Sequence, residues 1–270
     1  MFAPNYPMLD RLHAVLNAIA NPVIAVSGGV DSVTLAAVAS QICANTLLMH
    51  AVSPAVPREA SARLERLAAL RNWSLEIVDA GEFADPRYRE NPRNRCFFCK
   101  TNLYATIAAR TNRQILSGAN LDDLGEYRPG LDAARQHSVR HPYIEAHIGK
   151  GAVRAIARDL GLREVAELPA SPCLSSRVET GIRIEEATLA FIHDVERGIH
   201  AELAPATVRC RVRAEAVVIE LDQATLDALS NEAALRVRSI VEQQPHRPAR
   251  LPIRVEPYRN GSAFLQDASA

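Results

Sequence analysis

Pro22-Val-Ile-Ala-Val-Ser-Gly-Gly-Val-Asp-Ser-Val33 is the stretch on which the fold turns. Residues 22–26 form a short apolar run, the pattern of a buried strand. After Ser27-Gly28-Gly29 the apolar positions switch to helical spacing, at Val30, Val33, Thr34, Ala37 and Val38. A strand that passes through glycines straight into a helix opens a βα unit. Upstream, Leu9, Leu12, Val15, Leu16 and Ile19 mark an amphipathic helix. Downstream, 46–52 reads as a second strand and Arg58–Arg71 as a helix with Ala60, Leu64, Leu67 and Ala68 on one stripe. Residues 75–78 and Gln114–Ser117 supply two more strands. Strands separated by helices of this length predict βαβ units and a parallel sheet.

Three loops interrupt the series. Residues 87–100 concentrate Arg87, Arg89, Arg93, Arg95 and Lys100, with Asn91-Pro92 inside and Asp85-Pro86 just before. The others are 118–130 and 168–181, the last holding Pro169, Pro172 and Ser-Pro-Cys. Beyond it the pattern changes. A helix is expected at 185–198, strands at 207–213 and Val217–Leu221, helices at 223–229 and 233–241, and a last strand at 251–257. We expect a boundary near Thr180: an α/β nucleotide domain over 1–180, then a smaller α+β domain over 181–270.

Composition narrows the function classes. The chain has 270 residues, with 31 Lys+Arg against 31 Asp+Glu and only 5% aromatics. A protein built to grip a nucleic-acid backbone carries excess positive charge, and single-strand platforms need stacking aromatics. Nucleic acid is therefore not the expected partner. No apolar run reaches the roughly 18 residues of a membrane span, and the first ten residues lack the basic-then-apolar pattern of a secretory signal. Five cysteines, an odd number, fit reduced thiols in the cytoplasm.

The loop Ser27-Gly28-Gly29-Val30-Asp31-Ser32 suits an anion. A helix N-terminus presents unpaired N–H groups and the positive end of its dipole, and paired glycines let a phosphate come close. Ser27 and Ser32 can add hydroxyl donors. It is not a Walker loop, since Gly-Lys-Ser/Thr is missing. The end of the second strand, His50 to Ser53, would border an adenine ring at the carboxyl edge of the sheet. Cys96-Phe-Phe-Cys99 lies between two cations, Arg95 and Lys100, which favour thiolate. Cys173 is the one other cysteine in a loop pattern; Cys43 and Cys210 read as small core residues. Three loop cysteines suit an iron–sulfur cluster with one iron open, while zinc with a histidine ligand competes. Arg209, Arg211 and Arg213 alternate along a strand, on one face. They suit phosphate, or a solvated face balanced by Glu215 and Glu220. Arg128 reads as an exposed turn residue by default and a site residue by position. His137, His141, His147, His193 and His200 show no metal spacing, and Trp73 reads as packing.

The hexapeptide at 27–32 resembles the pyrophosphate loop of the adenine-nucleotide alpha-hydrolase (PP-loop) superfamily, which implies a Rossmann-like sheet and ATP cleaved between its alpha and beta phosphates. Further segments are similar to the ATP-dependent sulfur transferases that make the nickel-pincer nucleotide of lactate racemase, the LarE family. They are Arg-Cys-Phe-Phe-Cys-Lys at 95–100, Ser-Gly-Ala-Asn-Leu-Asp-Asp at 117–123, Tyr-Arg-Pro-Gly-Leu at 127–131, Ala-Ser-Pro-Cys-Leu-Ser-Ser-Arg at 170–177 and Thr-Val-Arg-Cys-Arg-Val at 207–212.

The resemblance implies ATP with Mg2+ as cofactors and a pyridinium biscarboxylate mononucleotide as acceptor. Ser27, Gly28, Gly29, Asp31, Ser32 and His50 would bind the nucleotide, and Arg128, Arg209 and Arg211 the substrate phosphate. Some members sacrifice the sulfur of the cysteine matching Cys173; others hold a 4Fe–4S cluster on three cysteines, here Cys96, Cys99 and Cys173, with an extra sulfide as donor. A homo-oligomer is implied; the sulfide source is not. After Arg177 the chain reads Val-Glu-Thr-Gly-Ile where the family reads Phe-Pro-Tyr-Gly-Thr, so the acceptor stays open. Other readings are a tRNA-thiolating enzyme using the basic run at 87–100, an ATP-dependent amide-forming ligase with structural zinc, and a non-catalytic nucleotide sensor.

Overall fold

The computed structural model describes residues 7–125, 127–169, 172–248 and 251–264. In chain order its elements are α1 (Pro7–Asn17), β1 (Pro22–Ala25), α2 (Val30–Ile42), β2 (Leu47–Ala51), α3 (Arg58–Arg71), β3 (Ser74–Val78), α4 (Pro86–Arg89), α5 (Arg95–Arg110), β4 (Gln114–Ser117), α6 (Pro129–Gln136), α7 (Pro142–Glu145), α8 (Lys150–Asp159), α9 (Arg163–Ala166), α10 (Glu186–Leu203), β5 (Val208–Val212), β6 (Val217–Leu221), α11 (Gln223–Asp227), α12 (Asn231–Gln243) and β7 (Ile253–Pro257). They fall into two compact units. One comprises Met1–Ser53, Arg58–Ala84 and Cys96–Ser171; the other comprises Pro54–Pro57, Asp85–Arg95 and Pro172–Ala270.

The first unit carries a parallel sheet in the order β3-β2-β1-β4. β1 and β2 are apolar at consecutive positions because the middle of the sheet is covered on both sides. Ile24, Leu48 and Leu116 face one core, shared with Leu12, Leu16, Val33, Leu35 and Val153 of the surrounding helices. Val23, Leu47, Met49 and Ile115 face the other, shared with Leu103, Tyr104, Ile107, Ala133 and Ala134. The expected α/β class with a parallel sheet is observed, an arrangement compatible with a Rossmann-like fold. α2 is buried from Ser32 through Ala39, so its apolar character runs nearly all round rather than along one stripe.

Strand order explains where a ligand can go. β2 flanks β1 on one side and β4 flanks it on the other, so the connections leaving β1 and β4 separate around a crevice at the carboxyl ends of the strands. Such switch points are the usual ligand positions of open α/β sheets.

Two local expectations are corrected. Cys96 and Cys99 lie on the first turn of α5, not in a loop. Phe97, Leu103, Tyr104 and Ile107 of that helix pack into the second core, and that burial outweighs the proline-rich approach. Cys43 is not a core residue: it is half-buried at the C-cap of α2, with Sγ 3.9 Å from the Leu16 carbonyl. Cys210 is buried as expected. Trp73 packs against the first core, with the Arg71 guanidinium 5.9 Å from its ring.

In the second unit β5 pairs antiparallel with β6, which pairs parallel with β7. Every residue of β6 is buried, Glu220 included. That carboxylate accepts from Arg211 Nε and Arg213 Nη2, both at 2.9 Å, and from the Ser262 hydroxyl. Three arginines of the run 87–95 have partners in the same unit. Arg87 pairs with Asp85 and Arg89 with Glu185. Arg95, 1% exposed, donates to Asn91 at 2.8 Å and stacks 4.7 Å from the Phe264 ring. Among the described residues no helix is long and apolar enough to cross a membrane.

Candidate nucleotide site and sulfur-bearing turn

The loop between β1 and α2 is shaped by two close approaches. Gly28 has φ +78, and a Cβ there would stand 2.7 Å from the Ala60 carbonyl oxygen of α3. Gly118, just past β4, lies against α2: its Cβ would meet the Ser32 amide nitrogen at 2.8 Å. Gly29 is the N-cap of α2 and has no side chain with which to cap the helix amides. The first turn thus keeps backbone donors for a ligand, with the dipole behind them.

Within the loop, Ser32 Oγ accepts from the Ser27 amide at 3.1 Å and lies 3.2 Å from Ser27 Oγ. Both hydroxyls therefore brace the loop. Asp31 is held from three directions. Asn120 Nδ2 donates to it at 3.1 Å, Lys150 Nζ at 3.0 Å, and Tyr143 Oη donates to its backbone carbonyl at 3.1 Å. Burial, then the Asp31 charge, pushes the Tyr143 phenol well above its usual range, so it serves as a donor. Asn120 is fixed by the Asp123 carboxylate and the Asp122 amide, and Asp122 caps α8 at the Lys150 amide. Arg128, at the N-cap of α6, pairs with Asp123 at 2.9 Å. The arrangement joins helix amides, two cations and three carboxylates around the end of β1, and the amides and cations suit an anion.

His50 has another place than the one expected. It is 1% exposed, with Nδ1 2.9 Å from the Val26 carbonyl and Nε2 2.8 Å from Ser61 Oγ. A carbonyl can only accept, so Nδ1 carries the proton and Nε2 accepts from Ser61. The ring ties the end of β1 to α3, behind the loop. Sequence reading also passed over Gly118, Asn120, Tyr143, Lys150 and Arg63. Ser-Gly-Ala-Asn-Leu-Asp-Asp was a signal for the first two, whereas nothing local marks the others.

Two outcomes follow. Gly28→Ala adds a left-handed residue, at about 1–2 kcal/mol, and drives a methyl into backbone that cannot yield. Stability in urea falls by more than that strain alone. Gly81→Ala, at φ +73 with nothing within 4 Å, bears the conformational strain alone and loses less. The second concerns His141, whose Nδ1 lies 2.7 Å from Ser117 Oγ beside the switch point. Burial holds its imidazole below the ordinary 6.5, partly offset by Glu145 and Asp123. The fold favours the neutral ring. The stabilisation is therefore present above 6.5 and is lost as pH falls from there through the folded value. Urea midpoints should drop on acidification less steeply in His141→Asn than in the parent.

In the second unit Cys173 is half-buried at the N-cap of a 3-10 turn, Leu174–Arg177. Ala170 and Ser171 before it lie outside the described residues. The turn is fastened at each residue. Leu174 N donates to Ala55 O at 2.8 Å, and Tyr88 Oη lies 2.6 Å from Ser175 Oγ. Arg211 Nη1 donates to Ser176 O at 3.0 Å, and Arg177 Nη1 to Pro172 O at 2.7 Å and Cys173 O at 3.2 Å. Arg177, 2% exposed, also pairs with Glu196 at 3.0 Å, and Glu196 accepts from the Cys210 amide. Burial, then Glu196, raises the Cys210 thiol well above its usual range, which makes it an inert thiol.

The arginine row divides. Arg211, with Nε on Glu220, Nη1 on Ser176 O and Nη2 on Arg259 O, braces the turn. Arg213 pairs with Glu220 and Glu256. Arg209 donates to the Val208 carbonyl and lies 5.7 Å from the Tyr258 ring. Burial and then the Arg177 cation lower its guanidinium below the ordinary value, a cationic neighbourhood that an anion would relieve. Cys96 and Cys99, three residues apart on α5, share a helix face in the first unit. Within either unit no group of three or more His, Cys, Asp or Glu side chains among the described residues could hold a metal. The helical pair can supply two ligands.

No protein-family model matches the chain. A protein of Lactiplantibacillus plantarum named pyridinium-3,5-bisthiocarboxylic acid mononucleotide synthase is 26% identical over 221 residues, 80% of this chain and 79% of its own. A protein of Methanocaldococcus jannaschii, named only as uncharacterized, is 27% identical over 214 residues, 78% of this chain and 81% of its own. One of Synechocystis sp., also named as uncharacterized, is 39% identical over 197 residues, 70% of this chain and 71% of its own. At that identity and coverage, the chain belongs to the family of this Synechocystis protein.

Proposed function

We propose that the chain is an ATP-dependent sulfur transferase of the PP-loop type, converting a carboxylate of a small nucleotide to a thiocarboxylate. The observation that carries it is the glycine-shaped cradle at the N-terminus of α2, where Gly28 is left-handed and Gly118 packs against Ser32. The name of the Lactiplantibacillus relative supports the acceptor, a pyridinium dicarboxylate mononucleotide.

A carboxylate is a poor electrophile, so it must first be activated. Its oxygen attacks the alpha phosphorus of ATP, the bond to the beta phosphate breaks, and pyrophosphate leaves. The amides at 28–32 bind the charge that develops on that leaving group, and Lys150 stands at Asp31 to add a cation. Sulfur then attacks the acyl carbon, the bond to the AMP oxygen breaks, and AMP carries away one carboxylate oxygen. A Mg2+ ion would accompany the ATP. Cys96, Cys99 and Cys173 are the residues that would hold a 4Fe–4S cluster, which when bound would offer a sulfide on its open iron. In the sacrificial alternative Cys173 gives its own sulfur. Arg209 takes the substrate phosphate, with Arg211 as a brace behind it. A cytoplasmic setting goes with this thiol chemistry.

The arginines at 87, 89 and 95 are engaged by Asp85, Glu185 and Asn91. These pairings weigh against tRNA as the acceptor. The test is anaerobic incubation with ATP, Mg2+ and pyridinium-3,5-biscarboxylic acid mononucleotide. AMP, pyrophosphate and a product with sulfur in place of oxygen are expected. AMP and pyrophosphate without sulfur in the product would overturn the transferase reading.

A further inference from the structure

The peptide between Gly28 and Gly29 is flanked by glycine on both sides, so no Cβ restrains its rotation. Of all the planes in the phosphate loop it is the one freest to flip. In a trans peptide the carbonyl and the next N–H point in opposite directions. A flip would therefore replace a donor with an oxygen and turn an anion cradle into one that repels phosphate.

One side chain holds that plane. Arg63, half-buried on α3, donates to the Gly28 carbonyl with both Nε at 3.2 Å and Nη2 at 3.0 Å. With the carbonyl drawn toward α3, the Gly29 N–H is turned away from it, to the side left open for a ligand. We propose that Arg63 is a positioning residue of the nucleotide loop, fixing the Gly28–Gly29 peptide so that the Gly29 amide donates to a phosphate oxygen. The inference rests on the nucleotide reading of the loop and adds a residue to it.

Three features support the assignment. The fork makes two bonds to one oxygen and so resists rotation about either, which a lysine cannot do. A cation on a carbonyl polarises the amide and strengthens the N–H beyond it. The contact also belongs to a set, because α3 buttresses the loop at Ala60 against Gly28 and at Ser61 through His50. Burial holds the guanidinium below its ordinary value, with Glu164 and Glu59 opposing that and Arg66 adding to it.

The test compares inorganic pyrophosphate, ATP and adenosine by calorimetry on the full chain. Arg63→Met should weaken pyrophosphate and ATP about tenfold and leave adenosine within about twofold, because the amide faces phosphate and not the base. Arg63→Lys should recover part of the loss. Unchanged pyrophosphate affinity in Arg63→Met overturns the assignment. An equal fall for adenosine and pyrophosphate also overturns it, since that is general damage to the unit. If the methionine variant does not fold, Arg63→Lys carries the same comparison, with about threefold expected for pyrophosphate alone. A parent protein that binds neither ATP nor pyrophosphate overturns the nucleotide reading itself, and the Arg63 assignment with it.

Discussion

Cys173→Ala lowers thiocarboxylate formation at least about 1,000-fold, while acceptor-dependent exchange between ATP and pyrophosphate stays within about twofold. The split follows from what the side chain does and does not hold. The turn around Cys173 is fastened through backbone and neighbours: Arg177 on the Pro172 and Cys173 carbonyls, Ser176 N on Cys173 O, Ala55 O on Leu174 N. None of these uses the sulfur, so alanine keeps the turn and removes the thiol that the proposed reaction needs, as sulfur donor or as third cluster ligand. Stability in urea should change by less than about 1 kcal/mol. On the proposed reading the adenylylation step uses the loop of the first unit and proceeds. Single-turnover product analysis, with exchange measured in parallel, checks it. Wild-type thiocarboxylate yield from the variant would mean that sulfur enters by a route without Cys173.

Glu220→Ala destabilises the chain by about 3–5 kcal/mol. Glu220 is fully buried and accepts from two arginines and a serine hydroxyl. Its removal leaves the Arg211 cation, 3% exposed, in the interior with no compensating charge at Nε. That large penalty comes from orphaning a buried ion rather than from the worth of the pair. Arg66–Glu164 provides the contrast. It has similar geometry at 2.7 Å but lies half in water, and Glu164→Ala should move stability by no more than about 1 kcal/mol. Urea titrations of the two variants test the difference. Equal losses would contradict the burial argument.

The sequence marked the first unit strongly because β1 and β2 are apolar on both faces and its longer helices show a period. β1, α2, α3 and β4 all lie where the pattern puts them. The glycine loop was legible for a related reason: Gly28 and Gly118 are required by close backbone approach, and glycine is a visible letter. What stayed hidden depends on partners far away in the chain. The helical start of α5 is decided by burial of Phe97 and Ile107 in a core built from other strands. The separate fates of Arg209, Arg211 and Arg213 depend on a carboxylate on the neighbouring strand. Arg63 and Lys150 carry ordinary surface letters, and only the fold brings one to Gly28 and the other to Asp31. His50 was read as a wall of the site because it ends a strand; its ring turns inward to Val26 and Ser61 instead.

The second unit takes Asp85–Arg95 from the first half of the chain. Asn91, fully buried there, donates from Nδ2 to the carbonyls of Val178, Glu179 and Ile182. During synthesis Asn91, Tyr88 and Arg95 leave the ribosome well before those carbonyls exist, so their polar groups must wait in water until the later segment arrives. The two units therefore mature as interleaved assemblies rather than one after the other. A gene cut after residue 171 would yield a first fragment carrying an orphaned piece of its neighbour, and a second fragment missing the asparagine around which three of its carbonyls are arranged.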